Sequence, residues 1–416
     1  MSALCAPLAA TSTCANDDCN LLPGLRLDSH FQPIFSLAHR RPIGHEALLR
    51  ASDKTGPISP LALFDRCPDF DARLQLDQLS RQAHLRHFAE QNRDHNWLFL
   101  NMDAEVFLLA GRFGALPQFE EMLADVGLFP QQIVVELREN AVADDADFSA
   151  AVNYFRSLGC LLALDDFGAG HSNFDRVWQI QPEIVKLDRK LITQAGQNRH
   201  ICRMLVQIAS LLHENGALVL MEGIETHAEA SITLEADIDF VQGYYFGRPQ
   251  PQLLSCDQLP DAVAHIWQNF DSNWQAEHQR QQQFILPYVN AIGYASVLLS
   301  AGRSMAESCA SFLQLEAAEF CYLLNARGEQ IGPNLWGEQA QRQYNLRFLP
   351  LDDASGARWA LRPYFRHAID NFGRIQISSP YLSLSGAGLC VTLSVSFKYN
   401  DEKRVLCGDI CLTDDP

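Results

Sequence analysis

The chain has 416 residues, 47% hydrophobic and 20% charged, a composition that suits two or three folded domains rather than extended disorder. Its formal net charge of −18 argues against a nucleic-acid polymer or an anionic membrane as partner, since both attract basic surfaces. Twelve cysteines scattered from Cys5 to Cys411 without paired CxxC spacing read as reduced thiols, and no uninterrupted apolar run reaches the ~20 residues of a membrane span, so a cytoplasmic protein is expected.

Residues 1–22 lack the basic start and apolar core of a secretory signal and read as a flexible lead-in. From about residue 28 to residue 250 one pattern then repeats: a short apolar run ends in an acid or amide, and a helical segment follows. In chain order the runs are Pro42 to Leu49 with Glu46, Trp97 to Leu100 before Asn101, and Ile133 to Val135 before Glu136. Next come Leu161 to Leu164 before Asp165 and Asp166, Ile184 and Val185 before Lys186, Ala217 to Met221 before Glu222, and Phe240 and Val241 before Gln242. Between them, Leu61 to Glu90 and Arg199 to Asn215 carry apolar residues at helical spacing. The alternation predicts an α/β fold, a (βα)8 barrel over residues 23–254.

Polar residues at successive strand ends converge on the mouth of such a barrel, where barrel active sites lie. The five carboxylates gathered there repel one another unless cations sit between them. All are oxygen donors, which select Mg²⁺ or Mn²⁺ over Zn²⁺, and two such ions side by side are a device for cleaving phosphodiesters. Lys186 adds a positive charge suited to holding the attacking water.

Glu46-Ala47-Leu48, in HEALLR, resembles the signature of the EAL-domain cyclic di-GMP phosphodiesterases. FQPIF (31–35), LNMD around Asn101, ELRE (136–139), DDFGAGHSNF (165–174), VKLDR (185–189), EGIET (222–226) and QGYYFGRP (242–249) are similar to that family's other motifs, in its order. The resemblance implies hydrolysis of cyclic di-GMP to linear pGpG with two Mg²⁺ or Mn²⁺ ions. It implies metal ligands Glu46, Asn101, Glu136, Asp165, Asp166 and Glu222, with Lys186 on the attacking water and Glu222 as candidate base. Gln242 would bond a metal-bound water, and Gln32 and Arg50 would contact substrate. Glu225 would support the site from behind, and Glu139 would brace the DDFG loop that links catalysis to a homodimer. Asp188 either orients Lys186 or caps the helix after it. Met102, Arg138, His171 and Met221 depart from the usual motifs without removing a ligand. The alternative is a catalytically silent receptor that binds cyclic di-GMP and signals through partners.

Beyond Pro251 the pattern changes. Residues 255–288 read as a helical linker, and residues 289–416 as a smaller α+β domain, with a helix over Ala306 to Leu315 and strands near 320–324, 328–331, 375–378, 389–397 and 405–412. This order resembles a PAS-like or Cache-type sensor. The resemblance implies a small-molecule ligand, an amino acid or amine, at Arg362, Tyr364, Tyr381 and Asp409.

Overall fold

The computed structural model describes residues 25–91, 96–114, 116, 119–138, 146–170, 174–255, 261–337, 354–383 and 389–412. The chain divides into two units, Met1–Ser272 and Asn273–Pro416. The first is a closed barrel built from β1 (Arg26–Ser36), β2 (Arg41–Asp53), β4 (Trp97–Asn101), β5 (Ile133–Arg138), β6 (Leu161–Phe167), β7 (Ile184–Leu187), β8 (Leu218–Met221) and β9 (Phe240–Val241). A short β3 (Gly56–Ile58) is appended to β2.

The barrel departs from the expected (βα)8 pattern at its seam. β1 pairs antiparallel with both β2 and β9, whereas β2 and then β4 through β9 pair in parallel. The reason is the four residues 37–40 between β1 and β2. That is enough for a turn, with Arg40 at φ 56°, but far too short for the crossover that parallel neighbours need. The segment 61–90, read as helical, is helical in two pieces, Pro60–Phe64 and Phe70–Gln91. Pro68 interrupts the ladder, and the Asp69 carboxylate accepts the Ala72 N–H at 2.9 Å to start the second helix.

In the second unit, β10 (Ala318–Asn325), β11 (Gln330–Trp336), β12 (Gln376–Ile377), β13 (Tyr381–Leu382), β14 (Leu389–Tyr399) and β15 (Glu402–Cys411) form an antiparallel sheet ordered β11-β10-β15-β14-β12, with β13 also on β14. Ile292 and Phe312, from the helices Asp261–Ser300 and Met305–Leu313, pack with Leu393 and Leu406 of one face. Gly408 permits this approach, since a Cβ there would lie 2.6 Å from Phe312 Cζ. Tyr364 and Phe365 of the helix Pro363–Asp370 pack with Phe320, Tyr322 and Val405 of the other face.

The segment read as a linker ending at residue 288 belongs to the single helix Asp261–Ser300, which continues through Pro287. Contrary to the expectation from uninterrupted runs, Val263–Ser300 is long and apolar enough by composition to cross a membrane, with an 18-residue window of mean hydropathy 1.2. Tyr288, Ile292, Ala295 and Leu299 of this helix are buried in the core of the second unit. The cysteines among the described residues are free thiols.

Candidate active site

Side chains of a strand alternate between faces, so residues two apart share a face. Seven residues, Ile34, Phe99, Val134, Ala163, Ile184, Leu220 and Phe240, one per strand, form a single buried cluster. Two positions beyond these on β4 to β9 stand Asn101, Glu136, Asp165, Lys186, Glu222 and Gln242. On β2 the pair is Gly44 and Glu46. On the reversed β1 the polar residue comes first: Gln32 precedes Ile34 and lies opposite Glu46 in register. An apolar layer therefore carries a polar layer directly above it.

Lys186 is the centre of that polar layer. It is 1% exposed, and its Nζ lies 2.5 Å from Glu136 Oε1, 2.6 Å from Glu222 Oε1, 2.9 Å from Asp165 Oδ1 and 4.0 Å from Glu46 Oε1. Asn101 Nδ2 donates to Glu46 Oε1 at 2.9 Å and Gln242 Nε2 donates to Glu46 Oε2 at 2.7 Å, which fixes that carboxylate from two sides. Burial alone would depress the lysine; Asp165, Glu136 and Glu222 overcome it and hold the ammonium well above its usual range. Burial pushes Glu136 well up and Glu222 up to about 8, against the opposing pull of Lys186.

Asp165 and Asp166 are consecutive, and regular alternation would send them to opposite faces. The register of β6 against β7 breaks between Leu164 and Phe167, and Asp166 adopts φ 61°, a left-handed conformation that Asp tolerates better than most residues. Asp165, Asp166 and Glu222 consequently each bring an oxygen within 4.8 Å of one another. Burial, then the neighbouring Asp165 charge, raises the Asp166 carboxyl.

Five carboxylates against one lysine leave excess negative charge. Glu136 Oε2 and Gln242 Oε1 are buried without a hydrogen-bond partner. An oxygen-only donor set with unused lone pairs fits hard divalent cations. The adjoining cleft has a volume of about 230 Å³ and is lined by Gln32, Glu46, Arg189, Glu222, Gly223, Glu225, Gln242, Gly243 and Tyr244.

The remaining expected residues distribute as follows. Gln32 lines the cleft and donates to the Gly247 carbonyl at 3.3 Å. Arg50 shares the Glu46 face of β2, but its Nη1 donates to the Leu49 carbonyl and it does not line the cleft. Asp188 caps the helix Arg189–Gln197, accepting from Lys190 N at 3.0 Å. Glu225 pairs with Arg189 at 2.7 Å. Glu139 and His171 lie outside the described residues. Arg189 and Tyr244 are cleft residues that the sequence reading passed over, although both stand inside quoted motifs, VKLDR and QGYYFGRP. In the second unit, Arg362, Tyr364, Tyr381 and Asp409 do line one cavity, whose free space of about 20 Å³ is close to that of one water.

Known proteins resemble this chain, some over little more than half of it and one over both units. YkuI of Bacillus subtilis, an uncharacterized EAL-domain protein, is 24% identical over 81% of this chain and 82% of its own length. Its crystal structure, in complex with substrate c-di-GMP and calcium, superposes with a TM-score of 0.78 at 21% identity, covering 93% of this chain and 96% of that one. The cyclic di-GMP phosphodiesterase PdeF of Escherichia coli is 25% identical over 55% of this chain. The chain spans about a third of the length of PdeF and of several other curated relatives that it matches. BlrP1 of Klebsiella pneumoniae, in a manganese and cyclic di-GMP complex, gives a TM-score of 0.50 at 25% identity, covering 56% of this chain and 58% of that one. With the EAL domain matched across residues 21–249, more than half its length, this chain belongs to the EAL domain family.

Proposed function

We propose that the chain hydrolyses cyclic di-GMP to linear pGpG with two divalent cations, Mg²⁺ or Mn²⁺, and that a PAS-like C-terminal unit regulates it. The observation that carries this reading is Lys186 Nζ within 2.9 Å of Glu136, Asp165 and Glu222, with Asp166 and Glu46 completing an acid ring that exceeds the lysine's charge. The relatives named above add to it, and the sheet order of the second unit supports its PAS-like description.

Glu46, Asn101, Glu136 and Asp165 would hold one ion, and Asp165, Asp166 and Glu222 the other. When bound, the ions supply Lewis acidity to a water and to the phosphoryl oxygens. Lys186 orients the attacking water and offsets negative charge growing on phosphorus. Glu222, its carboxyl raised to about 8, takes the proton from that water. The water oxygen bonds to phosphorus, the P–O3′ bond breaks, and the freed 3′ oxygen takes up a proton, so one water is consumed per ring opened. Gln32 and Arg189 lie along the cleft to meet the nucleotide.

The test is incubation with cyclic di-GMP and either ion, with products separated by chromatography and Glu46→Ala alongside. Formation of pGpG by the wild type alone supports the reading. Tight binding without cleavage under both ions overturns hydrolysis in favour of a receptor.

A further inference from the structure

On β5 the two-residue period that sets Val134 in the apolar layer and Glu136 in the acid ring sets Arg138 on the same face, nearer the mouth. The register pairs it with Asp165 of β6. Its side chain is 73% exposed, and Nε lies 3.6 Å from Asp166 Oδ2, its ion-pair partner among the described residues. That distance exceeds a hydrogen bond, so charge alone holds the pair, and a pair this open to water is weak.

An arginine is chemically out of place in this wall. Asp165, Asp166 and Glu222 gather where a cation fits, and Arg138 brings a fixed positive charge to one of the three. Asp166 cannot serve a guanidinium and a divalent cation together without the two repelling. The cation, with twice the charge and two further carboxylates, wins the contest and frees the guanidinium. Arg189 of the cleft wall differs, because its partner Glu225, at 2.7 Å, lies outside that trio. Of the two arginines, Arg138 is the one released when the site becomes ready for an anion. A freed guanidinium fork matches the two unesterified oxygens of a phosphodiester.

We propose that Arg138 links cation and nucleotide binding. It neutralises Asp166 until the second cation arrives and, displaced by that cation, pairs with a phosphate of the cyclic dinucleotide. This rests on the reading of the cleft as a cyclic di-GMP site and holds whether the barrel cleaves the nucleotide or only binds it.

Isothermal titration of the full chain tests both halves, with Arg138→Gln removing the charge and Arg138→Lys keeping charge without the fork. Arg138 is exposed, so both variants fold, and equal melting temperatures in chelator check this. Without nucleotide, Arg138→Gln binds Mn²⁺ about threefold to tenfold more tightly than the wild type. In saturating Ca²⁺, the ion present with c-di-GMP in the YkuI structure, Arg138→Gln binds cyclic di-GMP about tenfold more weakly. Arg138→Lys keeps the wild-type Mn²⁺ affinity and recovers only part of the nucleotide affinity. Normal wild-type binding with an Arg138→Gln indifferent in either titration overturns this proposal alone. A wild type that binds no cyclic di-GMP overturns the reading of the cleft and this proposal with it.

Discussion

Phe99 occupies the space that a side chain on Gly44 would need: a Cβ at Gly44 would lie 2.9 Å from Phe99 Cε2 and 2.9 Å from the Trp97 carbonyl oxygen. This contact closes the apolar layer beneath Glu46. Gly44→Ala is expected to destabilise the barrel by about 1–3 kcal/mol through overpacking, read from chemical denaturation. An unchanged midpoint would mean that Phe99 swings aside at no cost.

Removing the central cation exposes what it balances. With divalent ions chelated, Lys186→Met is expected to cost about 3–5 kcal/mol at pH 8, because Glu136 stays buried without its partner. The loss shrinks toward pH 6 as the raised carboxyls take up protons. Thermal unfolding at the two pH values checks this; equal losses at both would show that packing, not charge, is what Lys186 contributes.

Asp166→Asn separates repulsion from ligation. Asn tolerates the left-handed backbone at this position, so the turn survives. In chelator the variant gains a fraction of a kcal/mol by easing the repulsion from Asp165, a small effect because Asp166 is half exposed. The rise in melting temperature on adding Mn²⁺, expected in the wild type, is reduced or lost. A variant that responds to Mn²⁺ like the wild type would remove Asp166 from the ligand set.

Much of the site was legible because a strand's two-residue period forces each polar strand end into the same layer as its neighbours; Asn101, Glu136, Lys186 and Gln242 needed nothing more. Asp165-Asp166 was legible as a pair but not as a geometry, since the left-handed turn that aims both depends on a register break no composition reveals. The antiparallel β1 was hidden for a different reason. An apolar run has no direction, and only the shortness of residues 37–40 signals the hairpin. Arg189 and Tyr244 escaped because nothing about an isolated arginine or tyrosine tells a cleft wall from ordinary surface.

Asp188 was left between two roles, and its substitutions divide them. Asp188→Ala is expected to lose about 1 kcal/mol of stability with the helix cap, while Asp188→Asn keeps the cap. If Asp188 also steers Lys186 by its charge, Asp188→Asn lowers kcat despite normal stability. Matching rates for Asp188→Asn and the wild type would leave capping as its whole contribution.

The second unit should weaken as pH rises. Burial lifts both Asp409 and Glu319 to about 7, from 3.8 and 4.5. Between those limits the folded form binds more protons than the unfolded one, so stability is fully present near pH 4 and lost as pH climbs through 7. The loss amounts to a few kcal/mol. Glu319→Gln flattens the profile of melting temperature against pH by about half; a profile as steep as the wild type's would exclude Glu319.

The apolar layer under the acid ring also imposes an order of events. Glu136 and Lys186 have hydrocarbon below and can be hydrated only from the barrel mouth. In the proposed reaction, nucleophile and substrate would therefore arrive through one opening, and a dinucleotide settled there would become a stopper over its own attacking water. That water has to be in place first, and the opened product has to leave before the next can enter.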